Sequence, residues 1–439
     1  MSILFITVGG SPQPIITAIQ SLNPDRTVFV CSDGAKGSIS QVIGEGKPCE
    51  VRRGAEGVER LPNLPTHLGM GDRFNPDTDL VRLDNPDDLA ECYRRIAQKI
   101  SGIKTSDPNA PLYADYTGGT KTMSLALGMA ALDYGVTLYL TTNATRENLI
   151  RVDRGESTER APTTAVTVER VLRQDLPKLL QAYNYAGAIA ALRTLLQSLE
   201  MTQEQKRKLR ELLDICTGFD AWDRFDHLTA WSFLSMYMSR LQSYGLALKR
   251  VLSSRQTIDP DFSAAETISG HGYELVEDLV LNAQRRAYQQ RYDDAVGRLY
   301  RALELLAQSR LSQTYGLQTS DIDLEKLPVE LREQYSAEQN PRNGKIQLPL
   351  WKGYVLLSEL AADPLGQLFQ EQSKPLENAL QARNYSLFAH GFKPITENDY
   401  RHSGQVIQTF IETALERIIP AKNRHPLAQF PTDLAQLLD

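Results

Sequence analysis

The chain contains few of the residues that build metal centres and disulfide frameworks. Its 439 residues include 4 cysteines and 6 histidines. The cysteines Cys31, Cys49, Cys92 and Cys216 form no CxxC pair, and the histidines have no ligand spacing. Structural zinc sites and disulfide-rich folds depend on such spacings. The sequence therefore predicts neither a metal centre nor a disulfide framework.

Long apolar runs are also missing. The apolar stretches near residues 1–8 and 123–132 are far shorter than the roughly 20 residues of a membrane-spanning helix. The first residues, MSILFITVGG, lack a basic leader and run into a glycine turn, which predicts a strand and not a signal peptide. With 41% hydrophobic and 23% charged residues, we expect a cytoplasmic globular protein of two or three domains.

An excess of positive charge is the third absence. The net charge of -6 argues against a protein that coats nucleic acid through bulk charge, but it permits a local basic site. One candidate is the segment from residue 284 to residue 310, in which arginines outnumber acids. Its arginines are Arg285, Arg286, Arg291, Arg298, Arg301 and Arg310. A solvated helix face explains this segment at least as well.

The first 155 residues alternate short apolar runs with amphipathic stretches. The predicted strands are SILFITV, TVFVCS, LYADYT, VTLYLTT and LIRVD, and the predicted helices are PIITAIQSL, DDLAECYRRIAQKI and KTMSLALGMAALDY. This order predicts an α/β domain with a mainly parallel, Rossmann-like sheet over residues 1–158. After the polar run RGESTERAPTT the pattern becomes helical almost throughout, so the domain boundary is expected near residues 155–165.

Two similar turns follow two of the predicted strands. The first runs from Thr7 to Pro14 and the second from Asp115 to Thr122. Paired glycines let each backbone turn sharply and approach a ligand, and each turn opens a helix with free N–H groups. In open α/β sheets such turns meet at the crevice beyond the strand ends. They predict a site for a phosphate-bearing ligand.

Neither turn matches a standard nucleotide signature. Lys121 follows Thr120 and so does not complete a Walker motif, and the chain has no GxGxxG. A kinase, an NTPase and a dehydrogenase are therefore disfavoured. A plain strand-to-helix connection is the alternative explanation of each turn. Lys121 opposes the helix dipole in the first turn of its helix, which indicates an anionic partner.

A third motif lies near the C-terminal end, in ENALQARNYSLFAHGF. Arg383 and His390 are seven positions apart, close to two helical turns, so a continuous helix would place them on one face. An imidazole that moves a proton and a guanidinium that binds a charged phosphorus centre can together cleave RNA without a metal. The alternative is a solvated arginine and a histidine that caps the helix before Gly391.

The three motifs TVGGSPQP, DYTGGTKTM and RNYSLFAH together resemble the CRISPR-associated Rossmann fold (CARF) joined to a HEPN ribonuclease domain, an accessory effector of type III CRISPR systems. The resemblance spans most of the chain. It implies a sensor domain over residues 1–158, a helical linker domain over 159–275 and an all-α HEPN domain over 276–439. The segment from Trp222 to His227 falls in the linker, where we expect its acids and His227 to fix a helix junction.

The resemblance also implies a ligand, a substrate and an assembly. The activator would be a cyclic oligoadenylate, with the tetra-adenylate ring favoured over the hexa-adenylate ring, bound across the two-fold axis of a homodimer. Its contacts would be Gly9, Gly10, Ser11, Pro12, Gln13, Thr117, Gly118, Gly119, Thr120 and Lys121. Arg383, Asn384 and His390 would line a cleft for single-stranded RNA, and the 2′-hydroxyl of the RNA would attack to leave a 2′,3′-cyclic phosphate.

Two other classes of function remain open from the sequence. The first is a ligand-responsive regulator or scaffold in which Arg383 and His390 are structural. The second is an enzyme that acts in the Rossmann-like crevice, including one that cleaves the cyclic ligand with Ser11, Thr117 and Lys121 in place around a ribose hydroxyl and a phosphate. This second activity is compatible with a ribonuclease in the helical half.

Overall fold

The computed structural model describes two compact units, residues 1–169 and residues 170–439. The described residues are 1–34, 37–44, 49–53, 57–61, 63–143, 156–198, 201–384 and 391–438. Within this part of the chain, no helix is both long enough and apolar enough to cross a membrane.

The first unit is built on a six-stranded sheet. Its strands are β1 (Ile3–Thr7), β2 (Arg26–Ser32), β5 (Leu80–Leu83), β6 (Leu112–Asp115), β7 (Thr137–Asn143) and β8 (Glu156–Arg160). Their spatial order is β5-β2-β1-β6-β7-β8. The first five strands are parallel, and β8 pairs antiparallel with β7. A separate antiparallel hairpin joins β3 (Cys49–Arg53) to β4 (Gly57–Leu61).

Helices cover both faces of this sheet. The helices of the first unit are α1 (Gln13–Leu22), α2 (Ser40–Ile43), α3 (Leu64–His67), α4 (Leu89–Ser106) and α5 (Lys121–Asp133). Alternate residues of β1 supply two separate cores, because successive side chains of a strand point to opposite faces. Ile3 and Phe5 pack with α4 and α5, whereas Leu4 and Ile6 pack with α1.

The second unit is helical, apart from one isolated bridge between Gln318 and Asp321 in its described residues. Its helices, with α6 at the boundary between the units, are α6 (Thr164–Arg170), α7 (Leu176–Gln181), α8 (Tyr185–Ser198), α9 (Gln203–Asp223), α10 (His227–Leu234), α11 (Gln242–Ile258), α12 (Glu274–Tyr288), α13 (Tyr292–Tyr315), α14 (Val329–Ser336), α15 (Leu350–Glu359), α16 (Pro364–Asn384), α17 (Glu397–Asp399), α18 (Gln405–Ile418) and α19 (Ala435–Leu438). The predicted fold class, a mainly parallel α/β unit followed by an all-α half, is confirmed.

The strand predictions are confirmed for β1, β2, β6 and β7, while LIRVD lies outside the described residues. Four strands are additional to the prediction: β5 and β8 in the six-stranded sheet, and β3 and β4 in the separate hairpin. The polar run at residues 156–160, next to the expected domain boundary, forms β8. None of its side chains is buried, because it lies at the edge of the sheet, and hydrophobic alternation gives no signal there.

The basic segment at residues 284–310 requires a correction. Arg285 is fully buried and Arg286 nearly so, and both pair with Asp223, Arg285 through Nε at 2.7 Å from Oδ1. Burial lowers the pKa of each of these two arginines to about 10. Arg310 pairs with the buried Asp363 at 2.7 Å. For these three arginines, the predictions of a basic nucleic-acid surface and of a solvated helix face are therefore both wrong.

The segment from Trp222 to His227 connects α9 to α10, and its polar residues hold that junction. The side chain of Asp226 caps α10 by accepting a hydrogen bond from the N–H of Thr229. The buried carboxylate of Asp278 lies 3.0 Å from Nε2 of His227 and accepts a hydrogen bond from the Trp222 indole. The prediction that these residues fix a helix junction is confirmed.

Candidate ligand site at two glycine turns

The two glycine turns meet at the centre of the sheet. After β1 the chain builds β2 and β5 on one side, and it then returns to build β6 and β7 on the other. The change of direction falls between β1 and β6, which are neighbours with Ile6 opposite Asp115. In sheets of this kind the crevice at such a switch point, beyond the carboxyl ends of the strands, is where ligands bind.

Three of the glycines are required by the contact between the turns. A Cβ atom at Gly9 would lie 2.6 Å from the backbone nitrogen of Gly119, and one at Gly118 would lie 2.4 Å from the carbonyl oxygen of Thr7. Gly119 has a φ of +82°, in the left-handed region that glycine adopts without strain. These three glycines therefore serve the fold, whatever the site binds.

Gly10 differs from the other three. It is exposed, its backbone does not have a positive φ, and a Cβ atom built on it would meet nothing within 4 Å. Neither the conformation nor the packing of the turn requires a glycine here. A bare backbone at the mouth of a crevice is what close approach by a ligand needs.

Two of the three threonine hydroxyls of the second turn, those of Thr117 and Thr120, are engaged within the protein. Thr120 is the N-cap of α5: its Oγ1 accepts from the N–H of Met123 at 3.2 Å and donates to the carbonyl of Pro86 at 2.8 Å. Oγ1 of Thr117 accepts from the N–H of Thr141 at 2.7 Å. Both hydroxyls thus hold the turn in shape before any ligand arrives.

A buried carboxylate lies behind this turn. Oδ1 of Asp115 accepts from the N–H of Thr117 at 2.9 Å, and Oδ2 accepts from Oγ1 of Thr141 at 2.7 Å. The Thr141 hydroxyl also lies 2.8 Å from that of Thr158. Burial raises the pKa of Asp115 above its usual range, although the bonds from Thr117 and Thr141 oppose the rise. Asp115 therefore positions the turn.

Several polar groups of the two turns have no partner among the described residues. The N–H groups of Gly10, Ser11, Gly118 and Gly119 donate to no acceptor in the described part of the chain, and Lys121 is exposed and makes no ion pair with a described residue. Such N–H groups at the start of two helices, beside an ammonium, favour an anion. Of the other predicted contacts, Gln13 and Ser11 are exposed, whereas Pro12 is buried as the N-cap of α1.

Sequence reasoning found both turns but missed the residues that hold them. Gln41 donates to the carbonyl of Gly9 at 2.7 Å, and Ser124 donates to that of Gly118 at 2.7 Å. Asp115 carries a usable signal, since it is an acid that ends a buried strand directly before paired glycines. Gln41 carries none, because it is 32 residues from Gly9 along the chain.

The predicted RNA site falls at the limit of the described residues. Arg383 and Asn384 are the last described residues of α16 (Pro364–Asn384). Their side chains, and residues 385–390 with His390, lie outside the described part of the chain. The prediction of one helix from Arg383 to His390 is therefore not tested by the structure.

The architecture defined so far is that of a Rossmann-like unit, with two glycine turns that meet at its switch point, followed by a helical unit. Residues 264–414, about a third of the chain, match the family model described as the Csm6 HEPN domain, and this range includes Arg383 and His390. The helical unit thus carries the matched HEPN domain.

The whole chain is also similar in fold to a solved structure, Enterococcus italicus Csm6 bound to cyclic hexa-2'-fluoro-hexa-dAMP. The similarity has a TM-score of 0.54 and 13% identity, and it covers 96% of this chain and 95% of the other. No curated protein matches the sequence. The resemblance to the CARF–HEPN effectors of type III CRISPR systems is confirmed by the family match and by the shared fold.

Proposed function

We propose that the protein is a ribonuclease of type III CRISPR defence that a cyclic oligoadenylate activates. The sensor would be the crevice between the two glycine turns, and the nuclease would be the HEPN domain. Three observations support this division: the HEPN family match, the fold shared with Csm6, and the N–H groups of the two glycine turns that have no acceptor among the described residues.

Gly10 is the observation that carries the sensor half of the proposal. A glycine that neither packing nor backbone conformation demands is explained by a ligand that lies against it. The free N–H groups of both turns would bind phosphates, and Lys121 would add charge. The similar Csm6 structure is described as bound to cyclic hexa-2'-fluoro-hexa-dAMP, whereas the family resemblance favours the tetra-adenylate ring, so both the hexa-adenylate and the tetra-adenylate rings enter the test.

The nuclease chemistry would use the RNA itself as the source of the nucleophile. The 2′-hydroxyl oxygen attacks the adjacent phosphorus while His390, from one or both subunits, takes the hydroxyl proton or delivers one to the departing 5′-oxygen. The bond from phosphorus to the 5′-oxygen breaks, which leaves a 2′,3′-cyclic phosphate and a 5′-hydroxyl. Arg383 would stabilise the charged phosphorane, and Asn384 would contact the RNA backbone or the partner subunit. This route needs no metal ion.

A homodimer would complete the site, and α5 offers a surface for the second copy. Leu125 is 53% exposed and Met129 is 41% exposed, one helical turn apart on the same face. Together with Tyr116, Gly128 and Leu132 they line an apolar hollow. Because α5 begins at Lys121, this face continues directly from the proposed ring site. A ring that crosses a two-fold axis would bring the two α5 faces together.

Activation would be a shift between two states of this dimer. The ring must bind the cleavage-competent state more tightly than the resting state, since a ligand with equal affinity for both states shifts nothing. A change from 1% to 99% active needs a preference of about 10⁴-fold.

The test is cleavage of a fluorescent single-stranded RNA in EDTA, with no ring, with the tetra-adenylate ring or with the hexa-adenylate ring. We expect cleavage with one ring only, 2′,3′-cyclic phosphate ends, and no cut at a 2′-deoxy position. His390→Ala should lose cleavage and keep ring affinity. Retained cleavage in that variant, after contaminating nuclease is excluded, would place the active site elsewhere.

The same assay separates the two alternatives. Tight binding of a ring without cleavage of RNA would favour a ligand-responsive regulator. Loss of the ring over time would show that the protein also cleaves its activator, and a His390→Ala variant that still consumes the ring would assign that activity to the first unit.

A further inference from the structure

A basic groove lies on the first unit, between the edge strand β5 and helix α4. Its volume is about 450 Å³. Four cationic side chains line it: Arg26, Arg82, Arg95 and Lys99. The acids that pair with them do not line the groove. For a chain with a net charge of -6, this is a local concentration of positive charge.

Two of the four cations are already neutralised. Arg26 pairs with Asp79 at 2.5 Å, and Arg95 pairs with Asp84 at 3.0 Å. Arg82 and Lys99 make no ion pair or hydrogen bond with any described residue. Burial and the nearby charge of Arg26 lower the pKa of Lys99, and the charge of Asp79 opposes this shift. Arg82 and Lys99 therefore line the groove as positive charges without an ion pair of their own, and they would attract a bound anion.

The shape of the groove suits a chain of phosphates better than a single nucleotide. Its wall follows α4 from Arg95 to Ser106, which is about 16 Å at the rise of an α-helix. Thr78, Gln98 and Ser106 add polar groups along it, and no aromatic ring lines it. Without a ring on which a base can stack, the groove offers contacts to a backbone and not to bases.

The groove is separate from the proposed ring site. Arg26 is the first residue of β2, and Thr78 precedes β5, so the groove reaches the amino ends of these strands. The glycine turns follow the carboxyl ends of β1 and β6, which are at the opposite end of the parallel strands.

We propose that this groove binds the phosphodiester backbone of single-stranded RNA, through Arg82 and Lys99, without regard to base sequence. The choice of RNA rests on the proposed ribonuclease function, and it gives the first unit a role in holding substrate besides sensing the ring. Binding of this kind depends on salt and makes little distinction between RNA and DNA, because both carry the same phosphates.

The experiment measures binding of a labelled 20-nucleotide oligouridine to the full-length protein in a His390→Ala background, from 50 to 200 mM KCl. Arg82→Ala combined with Lys99→Ala should weaken binding about tenfold and reduce the slope of log Kd against log salt by about 1.4, which is 0.7 for each lost phosphate contact. Arg94→Ala is the matched control, since Arg94 is exposed on α4 but does not line the groove.

The affinity of the double variant for the cyclic ring distinguishes the possible ligands. An unchanged ring affinity with weaker RNA binding supports the proposal and shows that the variant is folded. Weaker ring binding with unchanged RNA binding would assign the groove to the ring and overturn it. An unchanged salt slope, or an equal loss in Arg94→Ala, would also overturn it. Neither cleavage nor activation enters this measurement, so failure of the proposed ribonuclease function would appear separately.

Discussion

At the scale of single residues, the glycines of the two turns have two different purposes. Gly9, Gly118 and Gly119 allow the turns to pack against each other, and the structure accounts for them without a ligand. Gly10 has open space around it and an ordinary backbone conformation. In a pair such as Gly9 and Gly10, one glycine is therefore needed for folding and the other is available for binding. Only the atomic contacts around each glycine show which is which.

Glycine-to-alanine substitutions at Gly118 and Gly10 should therefore have opposite effects on stability and on ring binding. Gly118→Ala would place a Cβ atom 2.4 Å from the Thr7 carbonyl and should lower the free energy of unfolding by about 1–3 kcal/mol. Gly10→Ala should change that free energy by less than about 0.5 kcal/mol and weaken ring binding about tenfold. Thermal unfolding and calorimetric titration with the ring measure the two effects. A Gly10→Ala protein that binds the ring normally would contradict the site.

The buried pair of arginines is the other residue-scale feature. Asp223 accepts from Arg285 and Asn282 and pairs with Arg286. Removing the carboxylate would leave two cations in the core without their partner. Asp223→Ala should therefore cost about 3–5 kcal/mol of stability. The position is structural, so the ring affinity of any folded fraction should not change.

Glu204→Ala provides the control on the same helix. Glu204 pairs with Lys208 at 3.1 Å and both side chains are exposed, so its loss should cost less than about 1 kcal/mol. Urea unfolding measures the two free energies of unfolding. Equal losses in the two variants would show that the buried ion pair contributes no more to stability than the exposed pair.

At the scale of secondary-structure elements, sequence patterns predicted the strands and turns whose conformation depends on residues close by in the sequence. Strands β1, β2, β6 and β7 are apolar runs, and the turn signals that follow two of them lie within a few residues. Sequence patterns did not predict the elements and side chains whose structure depends on partners far away along the chain. Strand β8 is polar and is held by pairing with β7. Arg285 reads as a surface charge, but its partner Asp223 is 62 residues away.

Helix α5 joins the proposed ring site to the proposed dimer surface. Its N-cap Thr120 fixes the second turn, and its exposed apolar face begins one turn later at Leu125. An element that carries both functions would couple ring binding to dimer geometry. A charged side chain on this face should therefore weaken both ring binding and dimer formation.

Met129→Glu tests that connection. We expect a larger monomer fraction by analytical ultracentrifugation and weaker ring binding, because burial of an unpaired carboxylate in an apolar interface is unfavourable. Met236→Glu is the matched control, since Met236 is 63% exposed on the helical unit and outside the proposed surface. Unchanged dimer content in Met129→Glu would remove α5 from the interface.

At the scale of the whole molecule, the account connects a sensor in one unit to a nuclease in the other. Patterns in the sequence were sufficient to predict the fold class and the family, because three motifs occur in the expected order. The geometry of the RNA site could not be derived in the same way. The proposed site would depend on residues 383–390 and on a second copy of the chain, and neither is fixed by local pattern.

The most direct test of this connection is the initial rate of RNA cleavage as a function of ring concentration, for the wild-type protein and for Gly10→Ala. The account predicts that Gly10→Ala needs about ten times more ring for half-maximal cleavage and reaches the same maximal rate, since only ring affinity is changed. A lower maximal rate at an unchanged half-maximal concentration, or cleavage that does not depend on the ring, would contradict control of the nuclease by the crevice between the two glycine turns.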